Sequence, residues 1–482
     1  MNKIPHNLND FYVKDIHMGS KILDFLDSEY SSCVNTLDSM RHILNDSGVK
    51  GLDSYFDQLK VATNPKYYPF TNKEVLESIL HDGGLNIQKG FQKWVKDIEK
   101  NNMPSLSKIQ NVTLGDTIAS SKGDVIYENN IIEIIHYKPL CPDIYKEPLL
   151  IVPPWINKYY ILDLNKKKSF VQYCLRKGID VFMISWKSAT YKDINIGLED
   201  YIIQGIEKSV SIINKPIHLL GFCVGGVGTL ITSIRNKNKQ IISLSLLATP
   251  VDFSYFYQIK QFLTNLNFPL YIDSILSKGY QSGEDLFKMF CLLKSEGLIL
   301  KNIVDQYYLN KSPIENDILY WNMDSINIPA KLHLEYLEKF LLKNQLFEGK
   351  YAIEKEKINI NRLTLPIFVV ATEKDHIVPP AAAFALRTKG NNVAYILGGS
   401  GHIAGIINPP EENKYHFFSY CPKQQKLIKQ NGSWWDTWSS WMTHKMSGKH
   451  TAEQADSFKK IRPAPGKYAM NQINLNKHID KF

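Results

Sequence analysis

The sequence predicts an α/β fold, and two features of its middle and C-terminal parts predict it. Between residues 147 and 399 six short, β-rich apolar runs occur in order: "EPLLIVPPW", "IDVFMISW", "PIHLLGF", "IISLSLLAT", "LPIFVVAT" and "NVAYILGG". Each stops at Gly, Pro, Thr or Trp, and helix-length segments such as "SFVQYCLRKG" and "VGTLITSIRNKN" separate most of them. Continuous apolar strands alternating with helices signal a parallel sheet buried on both faces.

The rest of the chain is arranged around that core. With 482 residues, 44% of them hydrophobic, the chain can bury a large core and form more than one unit. Residues 1–110 read as a helical region, either a separate unit or a layer packed on the α/β core. In it, "EVLESILHDGGLNIQKGFQKWVKDIEK" has apolar residues at helical spacing, with Gly83-Gly84 as a break. Near residue 124 the pattern changes, and "DVIYENNIIEIIHYKP" reads as two strands joined by a tight Glu-Asn-Asn turn. A catalytic domain is expected over 111–482. Between Asp252 and Arg362 no clear β-run occurs, so about 253–361 are expected to form a helical insertion over the sheet's C-terminal edge, a lid.

Composition excludes several classes. The net charge is +9 and the pI about 8.9, but the lysines are spread along the chain instead of clustering, which argues against nucleic acid. A polar N-terminus and the lack of a long apolar run lead to the expectation of a cytoplasmic protein without a transmembrane segment. Six scattered cysteines with no C-x-x-C pair point to reduced thiols, with no disulfide framework and no metal. Cys33, Cys174 and Cys291 fall in helical patterns and read as core, whereas Cys141 and Cys421 stand beside prolines in loops.

Cys223 differs from these. In "HLLGFCVGG" it lies between a strand and a helix start, with Gly221, Gly225 and Gly226 around it. In α/β-hydrolase architecture the nucleophile sits on such a strand–turn–helix elbow, written G-x-S-x-G, and the acid and histidine come later in that order. Asp375, in "LPIFVVATEKDHIVPP", lies just past the fifth run, and His402, in "SGHIAG", just past the sixth. Ligand sites in open α/β sheets lie at that strand edge. Each residue has an ordinary reading: Cys223 as a packed small side chain, Asp375 as a cap for "PPAAAFAL", His402 as a loop histidine. His376 competes as base and Asp252 as acid. The three falling in order is what favours a Cys223–Asp375–His402 triad in an α/β-hydrolase fold with a large inserted lid and an N-terminal helical region.

Cysteine in the serine position narrows the chemistry. A thiol paired with histidine is nucleophilic at neutral pH, and its acyl-enzyme is a thioester. Exchange with acyl-CoA is then nearly isoenergetic and later transfer to a hydroxyl is downhill, so acyl transfer fits better than ester hydrolysis.

With these residues in view, the chain resembles the poly(3-hydroxyalkanoate) synthases, most closely class I. The elbow "GFCVGG" matches the family's G-x-C-x-G-G box, and "EPLLIVPPWINKYYILDL", "LYWNMDSINIPAKLHLEYLEKFLLKNQL", "LGGSGHIAGIINPP", "GSWWDTWSSWM" and "PAPGKY" are similar to family segments. The match runs from about 110 to 468; the N-terminal part shows only loose similarity and is short for class I. The resemblance implies an acyltransferase that polymerises (R)-3-hydroxyacyl-CoA, 3-hydroxybutyryl-CoA in particular, with release of CoA. It implies catalysis by Cys223, Asp375 and His402, an oxyanion hole from the backbone of Val224 and of Ile156, and no cofactor beyond the CoA of the substrate. It also implies a homodimer at the surface of cytoplasmic polyester granules. Trp434, Trp438 and Trp441 share one helical face and read as packing, while Trp321 is left between lid packing and a dimer contact. A cysteine acyl-CoA thioesterase of the same fold and a non-catalytic granule-coat protein are the rival readings.

Overall fold

The computed structural model describes residues 8–47, 53–99, 112–257, 259–260, 268–293, 299–313, 316–389, 392–421, 426–455 and 457–471. The expected boundary at 110 lies outside them. The chain forms two compact units, one from 1–108 with 288–316, the other from 109–287 with 317–475. Part of the expected insertion, 288–316, thus groups with the N-terminal helices.

The larger unit is built on one eleven-stranded sheet. Along the chain its strands are β1 (Gly123–Glu128), β2 (Ile132–Tyr137), β3 (Leu149–Val152), β4 (Val181–Trp186), β5 (Ile217–Phe222) and β6 (Ile241–Leu247). β7 (Ile367–Thr372), β8 (Val393–Gly398), β9 (His416–Cys421), β10 (Lys426–Asn431) and β11 (Arg462–Pro463) complete it. Their order in space is β10-β9-β8-β7-β6-β5-β3-β4-β2-β1-β11. The run from β4 to β8 is parallel, and β1, β2, β9, β10 and β11 pair antiparallel at the two sides. This is the α/β-hydrolase arrangement, with each of the six apolar runs of the sequence forming one parallel strand. Burial explains their composition: every residue of β3, β4, β5 and β7 is buried. The β1–β2 hairpin turns through Asn129, whose side-chain oxygen accepts the N–H groups of Ile131 and Ile132. At the far side β10 is exposed for all but one residue and carries Lys426 and Lys429, charges that discourage pairing with a further strand.

Helices make up most of the insertion within this unit, including Phe268–Lys278, Asp317–Met323 and Ala330–Glu335, the last continued by a π-helical stretch Tyr336–Leu342. Trp321 is buried, and its indole N–H donates to Lys158 O at 2.7 Å, so it packs inside the chain. Trp434, Trp435 and Trp438 are buried on and beside the helix Trp435–Thr443.

In the smaller unit Gly83, in a left-handed conformation at φ 60°, ends the helix Lys73–Asp82, and Leu85–Glu99 comes next. The second helix turns its polar side inward. Asn86 donates to Tyr308 O, Lys93 to Gln306 and Tyr307 to Asp97. A side chain at Gly90 would start 1.6 Å from Tyr307 O, so glycine lets the two backbones touch. Phe91, Trp94 and Ile98 are left exposed. Among the cysteines, Cys174 and Cys291 are buried, but Cys33 is exposed; its 39-residue helix Leu8–Asp46 turns that position to solvent, contrary to the core reading. Cys421 ends β9 instead of lying in a loop. No helix among the described residues is long and apolar enough to cross a membrane.

Candidate active site

β5 runs straight into the helix Val224–Ile234, and Cys223 is the single residue between them. It takes φ 53° and ψ −126°, a conformation unfavourable for a residue with a side chain. Its N–H donates to Leu247 O at 2.8 Å and its carbonyl accepts from Gly226 at 2.9 Å, which holds the turn shut. The surrounding glycines are contact points. A side chain at Gly221 would start 2.4 Å from the Gly226 Cα, one at Gly225 2.4 Å from Pro153 O, and one at Gly226 1.9 Å from Thr249 Oγ1. Gly225 therefore lets the loop after β3, which carries Ile156, lie against the first turn of the helix. Val224 opens that helix, whose free N–H groups and positive end favour negative charge beside Cys223.

Asp375 comes after β7 and His402 after β8, and the parallel pairing of those strands puts their C-terminal ends side by side. The two loops are tied: Glu373 N–H donates to Gly398 O and Lys374 N–H to Ser400 O. Asp375 and His402 meet at 2.7 Å, Oδ2 to Nδ1. The carboxylate also accepts from Thr372 Oγ1 and from the N–H groups of Ile377 and Val378. Burial would raise its pKa, but His402 and those two N–H groups outweigh this and hold it below the ordinary 3.8. Burial would likewise lower the pKa of His402. The charge of Asp375 and the Cys223 sulfur reverse the effect and raise it from 6.5 to about 10. The ring, 5% exposed, stacks on Phe222 at 5.5 Å. Trp434 and Trp435 donate their indole N–H groups to Gly405 O and Ile406 O, fixing the loop just after His402.

The competitors are placed elsewhere. His376 is exposed. Asp252 accepts from Ser254 N–H and from Asn344, capping the short helix Phe253–Tyr255. Helix Pro380–Phe384 is capped by Pro379, not by Asp375.

Two neighbours were not singled out in the sequence. Tyr336, at the start of its π-helical stretch, packs edge-on to Trp155, Phe253 and Phe340 at 5.8 to 6.3 Å. Burial first, and then the nearby Cys223, raise its pKa well above 10, so its hydroxyl stays protonated. Lys158, four residues past the loop's Pro154, forms a buried ion pair with Asp324. Both lie in family-like segments, but no periodicity marks either. A cleft of about 350 Å³ lined by Glu207, Arg235 and Gln240 opens at the opposite, N-terminal end of β5 and β6; its arginine is already paired with Glu207 and Glu354.

This geometry can be compared with known proteins. A poly(3-hydroxyalkanoate) polymerase from Methylorubrum extorquens is 33% identical over 436 residues, 86% of this chain and 72% of its own. The corresponding polymerase subunit of Cupriavidus necator is 30% identical over 433 residues, 84% and 73% of the two chains. This chain belongs to the poly(3-hydroxyalkanoate) polymerase family. The family model described as the poly-beta-hydroxybutyrate polymerase (PhaC) N-terminus matches residues 17–174. Family likeness therefore begins well before residue 110, where only loose similarity was expected. Among solved structures, an α/β-fold hydrolase from Bacillus anthracis covers 60% of this chain and 95% of its own, at 14% identity and a TM-score of 0.36.

Proposed function

We propose that this chain is an acyltransferase that polymerises (R)-3-hydroxyacyl groups, 3-hydroxybutyryl in particular, from CoA with release of CoA. The observation that carries the reading is a cysteine on a strained elbow beside a buried His402–Asp375 pair, in a member of this family. The Cys223 proton already rests on His402 Nε2 as Sγ attacks the thioester carbonyl. The N–H groups of Val224 and Ile156 hold the oxyanion. Collapse expels the CoA sulfur, which takes the proton back from His402, and leaves acyl-Cys223. The hydroxyl of a further 3-hydroxyacyl group then gives its proton to His402 and attacks the acyl carbon. An ester forms and the Cys223 sulfur leaves.

Asp375 acts through His402 in this scheme. Its side chain is fully buried and accepts from four donors, which suits an orienting carboxylate better than a second base. The insertion serves as the lid: Tyr336, near Cys223, packs edge-on against Phe253 and Phe340, and Cys223 itself is 6% exposed, which favours transfer over hydrolysis by water. The same reading makes the chain a homodimer at the surface of its own polyester granule in the cytoplasm.

The test supplies (R)-3-hydroxybutyryl-CoA and tracks free CoA together with the fate of the acyl group. CoA release with insoluble polyester is expected, and Cys223→Ala should abolish it without unfolding the protein. Soluble 3-hydroxybutyrate as the main product would return the thioesterase reading.

A further inference from the structure

We infer that the buried Lys158–Asp324 pair is a positioning device for the oxyanion hole, locking the backbone of 156–158 to residues 321–326 of the insertion. The inference rests on the proposed role of the Ile156 N–H. Three consecutive residues after β3 are each bonded to that one segment. Ile156 O accepts from Ile326 N–H at 3.2 Å. Asn157 donates its side-chain amide to Asn322 O at 3.2 Å and forms a β-bridge with Ser325. Lys158 O accepts the Trp321 indole N–H at 2.7 Å.

The charges close the latch. Lys158 Nζ lies 2.7 Å from Asp324 Oδ1, with the lysine side chain 1% exposed and the aspartate 12%. Tyr160 donates its hydroxyl to the other oxygen, Oδ2. Two buried charges are dear to desolvate, and apolar side chains of similar size would pack this seam as firmly. What the pair adds is a tie between these two segments in particular, since Lys158 Nζ, buried and without a hydrogen bond among the described residues, has the Asp324 carboxylate as its counter-charge. The consequence reaches the chemistry through the backbone. Bonding the carbonyl of Ile156 and both of the next two residues restrains the dihedrals that aim the Ile156 N–H. That N–H makes no hydrogen bond among the described residues. A donor misdirected by about 1 Å forfeits much of its value in the transition state, on the order of a hundredfold in rate.

The experiment compares wild type with Asp324→Asn, Tyr160→Phe and Trp321→Phe in two reactions of Cys223. Acylation by p-nitrophenyl butyrate, read as the nitrophenol burst, passes through an oxyanion. Alkylation by iodoacetamide, a displacement at saturated carbon, does not. We expect the burst rate to fall by about tenfold or more in Asp324→Asn and by a smaller factor in the other two, with KM and alkylation within about twofold of wild type. Unchanged bursts in all three variants would overturn the latch. So would alkylation falling in step with acylation, which marks a general disturbance. If Asp324→Asn does not fold, the two milder variants decide the question in the same way. A wild type with no burst overturns the oxyanion assignment and the latch together. A wild type with a burst but no CoA release from (R)-3-hydroxybutyryl-CoA overturns the polymerase reading alone.

Discussion

Cys223 holds a conformation that L-residues avoid, at a cost on the order of 1–3 kcal/mol, and its neighbours make the strain possible. Gly226 is the tightest of them, since any side chain there meets Thr249, which is itself fully buried. Gly226→Ala is therefore expected to destabilise the protein by more than about 3 kcal/mol and to remove activity. Adding Thr249→Gly, which clears the colliding atoms, should recover at least part of that loss. The coupling between the two sites should reach about 1–3 kcal/mol in denaturant melts. Strictly additive effects would mean that the elbow does not depend on this contact. At this scale the sequence was informative where chemistry imposes a residue type: the glycines, the thiol, and an acid and a histidine at strand ends. It was silent on Tyr336 and Lys158. A tyrosine in a helical segment and a lysine in a loop are ordinary until folding brings partners from over a hundred residues away.

Strands β3 to β7 were legible because burial on both faces leaves them mostly apolar, with few polar residues such as His218 and Ser245. β9, β10 and β11 were not anticipated, and their composition explains it: β10, "KLIKQN", lies exposed at the edge and needs no apolar alternation. Helix Leu85–Glu99 was readable as a helix, but its periodicity did not say which side faces in. The glycine contact at 90 and the polar bonds to 306–308 decide that, with Phe91 and Trp94 left outside. Of the three tryptophans read as packing, Trp434 and Trp438 are buried and Trp441 is only half-buried, and the indole N–H groups of the first two add a distinction the spacing could not. Trp434 bonds Gly405 O beside His402, whereas Trp438 bonds Ser245 on β6. Replacing either by Phe leaves a buried acceptor unpaired and should cost about 1–3 kcal/mol. Only Trp434→Phe should also lower the rate of CoA release, because it alone loosens the loop that carries His402. Equal loss of rate in both variants, at matched folded fractions, would contradict this division of roles.

Across the whole molecule, the sheet turns three distant stretches of chain into one ionisable cluster, and stability should report it. His402 is raised from 6.5 to about 10 in the folded protein, by Asp375 and the Cys223 sulfur against the opposing effect of burial. A group raised on folding contributes fully below its unfolded pKa, and the contribution is lost as pH climbs through the folded one. Asp375 is held below 3.8, despite burial, chiefly by His402. Its contribution is present above that value and disappears as the pH falls further. The two overlap between 3.8 and 6.5. His402→Gln keeps a hydrogen-bonding side chain but cannot carry the proton. The stability difference between wild type and this variant should therefore be largest in that window. It should then shrink toward pH 10, by up to roughly 1.4 kcal/mol per pH unit. Denaturant melts of both proteins at intervals from pH 4 to about 10 measure the difference directly. A difference that stays flat, or that widens above neutral pH, would mean that His402 is not held as an imidazolium between Asp375 and Cys223. The acyl-transfer scheme would then have to start from a neutral thiol and a neutral ring.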